Sequence, residues 1–285
     1  MCLAFYSMFI PFNITTNVIN QVTSNGNFDY DTSYIKKKLE ANINKDSIRQ
    51  RLIDGTKLQE EWFPSECFDS QFDVFISHAH KDETVVKKLA GFLYKEYGLR
   101  CFIDSCYWSY ANNLLIDLND IYSAYTRCDG TKAYRYGTST FMAANVHIML
   151  SMALLKMMDS CECLIFVDSD NSLNYKKGQP ATPSPWIYEE IGFSNRLRIN
   201  IPDRFKDRVR VRICESRDTS HIGLECFSAD GHETEFNYRV NMNNFESLTS
   251  ADFPLKRLIN KSTDVLDRWY SKYGVGRAIK HKFIR

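Results

Sequence analysis

Phe72-Asp73-Val74-Phe75-Ile76-Ser77-His78-Ala79-His80-Lys81-Asp82-Glu83 reads as a buried strand that stops abruptly at a cluster of polar, ionisable residues. Phe72, Val74, Phe75 and Ile76 form a short apolar run of β-favouring side chains. Ser77 to Asp82 then offer hydroxyl, imidazole, ammonium and carboxylate groups close together. Open α/β sheets place ligand sites at such strand tips.

On the C-terminal side, Glu83 to Tyr97 sets Val85, Val86, Leu89, Phe92, Leu93 and Tyr97 on one face of an amphipathic helix, which Gly98 closes. Leu99 to Ile103 is a second short strand ending at Asp104, and Ala143 to Met158 is an apolar helix leading into a third strand, Cys161 to Val167. Strand and helix in alternation predict parallel pairing. Asp168 to Pro185 is a polar loop, and Pro185 suits the start of a helix running from Trp186 to about Arg198. A fourth strand over Arg208 to Ile213, a fifth over Phe236 to Met242 and a terminal helix within 255–273 complete the pattern.

Two stretches depart from it. The connection from 105 to 142 is long and rich in aromatics, with Leu114 to Ala124 predicted as a helix within it. Long connections are functional or disordered, and the aromatic content favours an ordered lid or interface element. Residues 1–70 are expected as a separate, mostly helical extension, since Ile35, Leu39, Ile43, Ile48, Leu52 and Leu58 recur at broadly helical spacing. Residues 71–285 form the main domain.

The composition is globular: 285 residues, 44% hydrophobic and 25% charged. Thirty-six basic and thirty-five acidic residues give a formal charge of +1, so no global field draws the chain to nucleic acid or anionic membrane. Neither is expected as a partner. Met1 to Asn27 carries no side-chain charge but lacks a basic n-region and a clear cleavage site and is expected to dock on the domain, and Tyr136 to Leu155 is uncharged but interrupted by polar residues and is expected as a core helix preceded by a loop. Nine irregularly spaced cysteines fit reduced thiols in a cytoplasmic protein. The basic tail with Lys272, Arg277, Lys280 and Lys282 is expected in solvent.

Three blocks occur in order: Phe72 to His78, Cys101-Phe102-Ile103-Asp104, and Ser184-Pro185-Trp186-Ile187-Tyr188-Glu189-Glu190-Ile191. Together they resemble the TIR (Toll/interleukin-1 receptor) family over roughly residues 70 to 215, with a looser tail to 273. The resemblance implies a flavodoxin-like, doubly wound parallel sheet of about five strands. It also implies one of two roles, because the family holds receptor adaptors as well as enzymes that cleave the nicotinamide–ribose bond of NAD+, many of them in bacterial antiphage defence and plant immunity. In those enzymes a carboxylate lies four residues after a tryptophan on the third helix. Counted from Trp186, that position is Glu190.

Breaking the nicotinamide bond develops positive charge on the ribose, which a fixed carboxylate stabilises. Nicotinamide leaves from an already cationic ring, so no general acid is required. The resemblance therefore makes Glu190 catalytic in an NAD+ glycohydrolase or cyclase yielding ADP-ribose or a cyclic isomer as a signal. NAD+ would be substrate, with no cofactor and no metal; self-association through TIR surfaces and a downstream effector sensing the product would supply the partners. Taken alone, Glu189 and Glu190 are also two acids near a helix start, favourably met by the dipole, with Glu189 solvated. Ser77, His78 and Lys81 correspond to the family's pocket-lining loop; Lys81 either meets a phosphate or lies in solvent, and Asp82 is an N-cap candidate. Asp104 either accepts ribose or amide hydrogen bonds or caps the loop after it. Tyr107 and Trp108 either stack on adenine or nicotinamide or pack the insertion. Trp186 either underlies the site or anchors its helix. The competing classes are a non-enzymatic TIR signalling scaffold and a nucleoside or nucleotide N-glycosyl hydrolase or transferase.

Overall fold

The computed structural model describes residues 10–50, 52–63, 72–176, 179–197, 202–205, 236–259 and 261–273. The described residues begin with β1 (Pro11–Thr15), α1 (Thr16–Val22), α2 (Ser33–Asn42) and α3 (Gly55–Trp62). The chain continues through β2 (Val74–Ser77), α4 (Glu83–Tyr97), β3 (Cys101–Ile103), α5 (Ser105–Tyr122), a hairpin of β4 (Ala124–Thr126) and β5 (Lys132–Tyr134), and α6 (Tyr136–Ser160). After β6 (Cys163–Asp168) come β7 (Asn174–Lys176), β8 (Gln179–Thr182), α7 (Pro185–Ser194), β9 (Tyr238–Arg239), β10 (Glu246–Ser247) and α8 (Thr263–Tyr273).

Among the described residues, five strands form one parallel sheet in the order β10-β1-β6-β2-β3. Val74, Phe75 and Ile76 are fully enclosed between β3 and β6, so the run of β2 is apolar without alternation, as a strand covered on both faces must be. From β2 the chain crosses to β3 through α4, then back over β2 to β6 through α5 and α6. Right-handed crossovers running in opposite directions put α4 on one face and α5 and α6 on the other. The architecture is thus an α/β open sheet of flavodoxin-like kind. Its switch point lies between β2 and β6, where such folds open a crevice at the carboxyl ends of the strands.

The expectation that residues 1–70 stand apart as a helical extension is corrected. The helices α1, α2 and α3 are there, but β1 pairs with β6 over its whole length and with β10 on its other side, inside the sheet. Phe12 and Ile14 are buried; the Phe12 ring packs 5.6 Å from Trp269 and 6.0 Å from Tyr270 of α8. The first described strand thereby fills the fourth sheet position counted from β3.

Residues 105–142 are also not a lid. Asp104 caps α5, and Tyr107, Tyr110, Ala111, Leu114 and Leu118 bury one face of that helix in the main core. The β4–β5 hairpin then leads directly into α6, which starts at Tyr136 without an intervening loop. The expected fifth strand appears only as Tyr238–Arg239 and belongs to a separate antiparallel sheet with β7 and β8. The strand expected over Arg208 to Ile213 and the basic tail beyond Tyr273 lie outside the described residues.

Candidate functional site

The parallel strands end together, so Thr15, Ser77 and Asp168 close β1, β2 and β6, and Asp104 follows β3, all on one edge of the sheet. Helix α7 is laid against this edge. Ser184 caps it, with Oγ accepting from the Ile187 N–H, and Pro185 occupies its first turn. Ile187, Glu190, Ile191 and Ser194 recur at intervals of three, one and three residues and are its buried side chains. A glutamate thus stands on the core face of the helix, where periodicity calls for an apolar residue.

Glu190 is only 1% exposed. Ser77 Oγ donates to its Oε2 at 2.5 Å, joining residues 113 positions apart. Its Oε1, equally buried, meets no donor among the described residues. Burial pushes the Glu190 carboxyl well above the ordinary 4.5, and the neighbouring Asp104 carboxyl raises it further, while the Ser77 hydroxyl partly offsets both. Enclosure in the closed site therefore favours the neutral form of the Glu190 carboxyl.

Asp104 links this acid to a base. Its Oδ1 lies 2.6 Å from His78 Nδ1, with both side chains fully buried, and accepts from the Ser105 N–H at 2.7 Å; its Oδ2 takes the His78 N–H at 3.4 Å. Burial alone would lower the His78 imidazole, but the adjacent Asp104 outweighs it and the net shift is upward from 6.5. Asp104 caps α5 and pairs with His78.

Ser77, His78, Asp104 and Glu190 thus converge into one enclosed polar cluster at the switch point. Tyr107, Lys81 and Trp186 do not join it. Tyr107 is a core side chain, its ring edge-on to Phe63 at 6.0 Å and Phe102 at 5.0 Å, and no face is left for stacking on a base. The side chain of Trp108 lies outside the described residues. Lys81 is exposed on the short turn His80–Asp82. Asp82 occupies the N-cap position of α4, yet its carboxylate makes no cap hydrogen bond; it accepts instead from Ser169 Oγ at 2.5 Å and Asn171 Nδ2 at 2.7 Å. Trp186 is half-buried and meets His147 of α6 edge-on at 5.3 Å. Glu189 is not solvated: it is partly buried and accepts from Ser151 Oγ of α6. Neither glutamate lies in the first turn of α7, so the helix dipole does not account for them.

Asp168 is a site-edge residue that the sequence reading misses. Half-buried at the tip of β6, it accepts from Tyr175 OH at 3.1 Å, and desolvation pushes its carboxyl upward. A signal for it exists, because Asp168 ends its apolar run just as Asp104 ends another. No group of three or more His, Cys, Asp or Glu side chains among the described residues is arranged to hold a metal ion.

Comparison of the chain with protein-family models, curated proteins and solved structures returns no match. The fold and the cluster define the class: an open parallel α/β sheet with an enclosed Ser–Glu–Asp–His network at its switch point.

Proposed function

We propose that this chain is a TIR-type NAD+ glycohydrolase in which Glu190 stabilises the ribosyl cation. The observation that carries this reading is a carboxyl on the core face of α7, fixed by Ser77 at the carboxyl end of β2. Buried carboxyls with strongly raised pKa cluster at functional sites. In the reaction the C–N bond breaks with its electron pair going to the nicotinamide ring, which becomes neutral. The ribosyl cation is captured by water, giving ADP-ribose, or by a nucleophile within the same molecule, giving a cyclic isomer. Ser77 orients the carboxylate, and Asp104, itself paired with His78, lies beside it.

The ionised form of Glu190 performs this work, while the closed site favours the neutral one. Activity on NAD+ is therefore expected to rise with pH on the alkaline side of 4.5 as the carboxyl gives up its proton. A bound cationic nicotinamide ring draws that transition to lower pH. Incubation of the purified chain with NAD+, followed by chromatography for nicotinamide and mass spectrometry for the ribosyl product, tests the reading. Glu190→Gln is expected to lower turnover at least a hundred-fold by analogy with the loss of one electrostatic stabiliser, ~10²–10³. Turnover unchanged in that variant removes the assignment.

One observation favours a second reading, a non-enzymatic signalling scaffold: the Glu190 carboxyl is shut off from solvent, so catalysis requires a conformation in which the strand tips open. No nicotinamide release by the chain, alone or self-associated, decides for the scaffold. Release of a different base in a nucleoside and nucleotide screen would identify an N-glycosyl hydrolase of other specificity.

A further inference from the structure

Helix α6 runs for 25 residues and is apolar and long enough to cross a membrane by length and composition, yet only 44% of its most apolar window is buried. One face packs on α3, α5 and α7. On the opposite face Gly137, Phe141, Ala144, Ile148 and Met152 recur at intervals of four, three, four and four residues and are exposed, Phe141 to 64%, Ile148 to 58% and Met152 to 40%. Tyr136, 86% exposed, continues the patch toward the β4–β5 hairpin. We propose that this stripe is the docking surface for a second copy of the chain, forming a two-fold pair through α6.

Three observations choose a second copy as the occupant. The first is charge: from Tyr136 to Leu155 the helix carries no Asp, Glu, Lys or Arg, so an isologous contact sets no like charge against itself. The second is shape, because small residues at 137 and 144 alternate with large ones at 141 and 148, and the knobs of one helix have hollows to enter on its twin. The third is area. Taking ~200 Å² for each large side chain, the exposed fractions with the flanking hairpin tyrosines sum to roughly 600 Å² per copy, or about 1,200 Å² for the pair, the lower bound for a specific interface. A lipid surface fits less well. The hairpin end of the patch mixes acids (Asp120, Asp129) with bases (Arg127, Lys132, Arg135), and Lys132 is already paired with Asp120, leaving little attraction for anionic headgroups, while the packed face of α6 keeps the helix from crossing a bilayer.

The pairing does not rest on the NAD+ reading. Its geometry nonetheless sets the partner beside α7, since the flank of the same helix carries His147 against Trp186 and Ser151 against Glu189.

Sedimentation velocity of the full chain across a wide concentration range tests it. The unaltered chain is expected to move from monomer to dimer as concentration rises, and both Ile148→Glu and Phe141→Glu are expected to stay monomeric at concentrations where it is dimeric. Both positions are exposed, so circular dichroism melts should be unchanged; either variant that melts normally suffices. Leu255→Glu, an exposed position away from the stripe, should dimerise normally. A chain monomeric throughout, or a dimer that survives both stripe substitutions, overturns the proposal. So does a monomer that floats with neutral phosphatidylcholine vesicles, which would assign the stripe to lipid.

Discussion

Glu190 joins two properties that proteins ordinarily keep apart, an ionisable head group and complete enclosure. The unfolded chain releases this proton near 4.5, whereas the folded chain retains it to higher pH. Above 4.5 the native state therefore binds more protons than the unfolded state, and stability falls as pH rises. His78 acts in the same direction. Its raised imidazole contributes stability that is complete below 6.5 and lost as pH climbs through the folded value. Urea unfolding at about pH 5 and about pH 8 should show a drop in stability toward alkaline pH, and that drop should be smaller in Glu190→Gln, which cannot titrate. Equal drops in the two proteins would show that the carboxyl is not held neutral. Residue spacing alone cannot join this cluster, because Ser77 and Glu190 are 113 positions apart and only tertiary structure makes them neighbours. The ordered blocks do mark the right strand tips and helix. Tyr107 misleads because an aromatic just beyond a strand tip resembles a stacking platform; helix α5 begins at Ser105 and turns that ring back onto Phe102.

Among the elements, α4 shows how packing overrides propensity. Gly91 sits in its interior, where glycine costs about 1 kcal/mol relative to alanine. A Cβ there would lie 2.9 Å from the backbone of Asp29, which cannot swing aside as a flexible side chain would. Gly91→Ala is accordingly expected to destabilise the fold by about 1–3 kcal/mol despite the better helix former, measurable as a lower urea midpoint. An increase in stability would mean that the 27–31 segment does not rest on this helix. Elements with a long period are legible in sequence: the apolar spacing places α4 at Glu83–Tyr97 as observed, with Gly98 at positive φ closing it. Strands β1 and β10 are not. β10 has two residues, and β1 lies inside the uncharged stretch Met1–Asn27, where no change of polarity sets it apart, so their partners decide their conformation.

At the level of the molecule, the sheet is held by segments far apart in the chain. Phe12 touches Trp269, Tyr270 and Tyr273, and Leu248 donates its N–H to Asn13 O. Phe12→Ala is expected to cost about 3–5 kcal/mol, and removal of residues 1–27 to leave a chain without a cooperative thermal transition. A truncated chain melting like the intact one would show the sheet complete without β1. The TIR-like blocks cover only the middle of this arrangement, which is why the first seventy residues look separable in sequence: their contribution depends on partners more than a hundred residues away.

The placement of β1 also bears on how the protein is made. This strand leaves the ribosome well before its neighbours at 163–168 and 246–247. At ~5–20 residues per second, the wait for β6 alone is roughly 8–30 s. Throughout that interval Phe12 and Ile14 have no sheet to enter, so the nascent chain presents an apolar segment that chaperones are expected to hold until the last strand arrives.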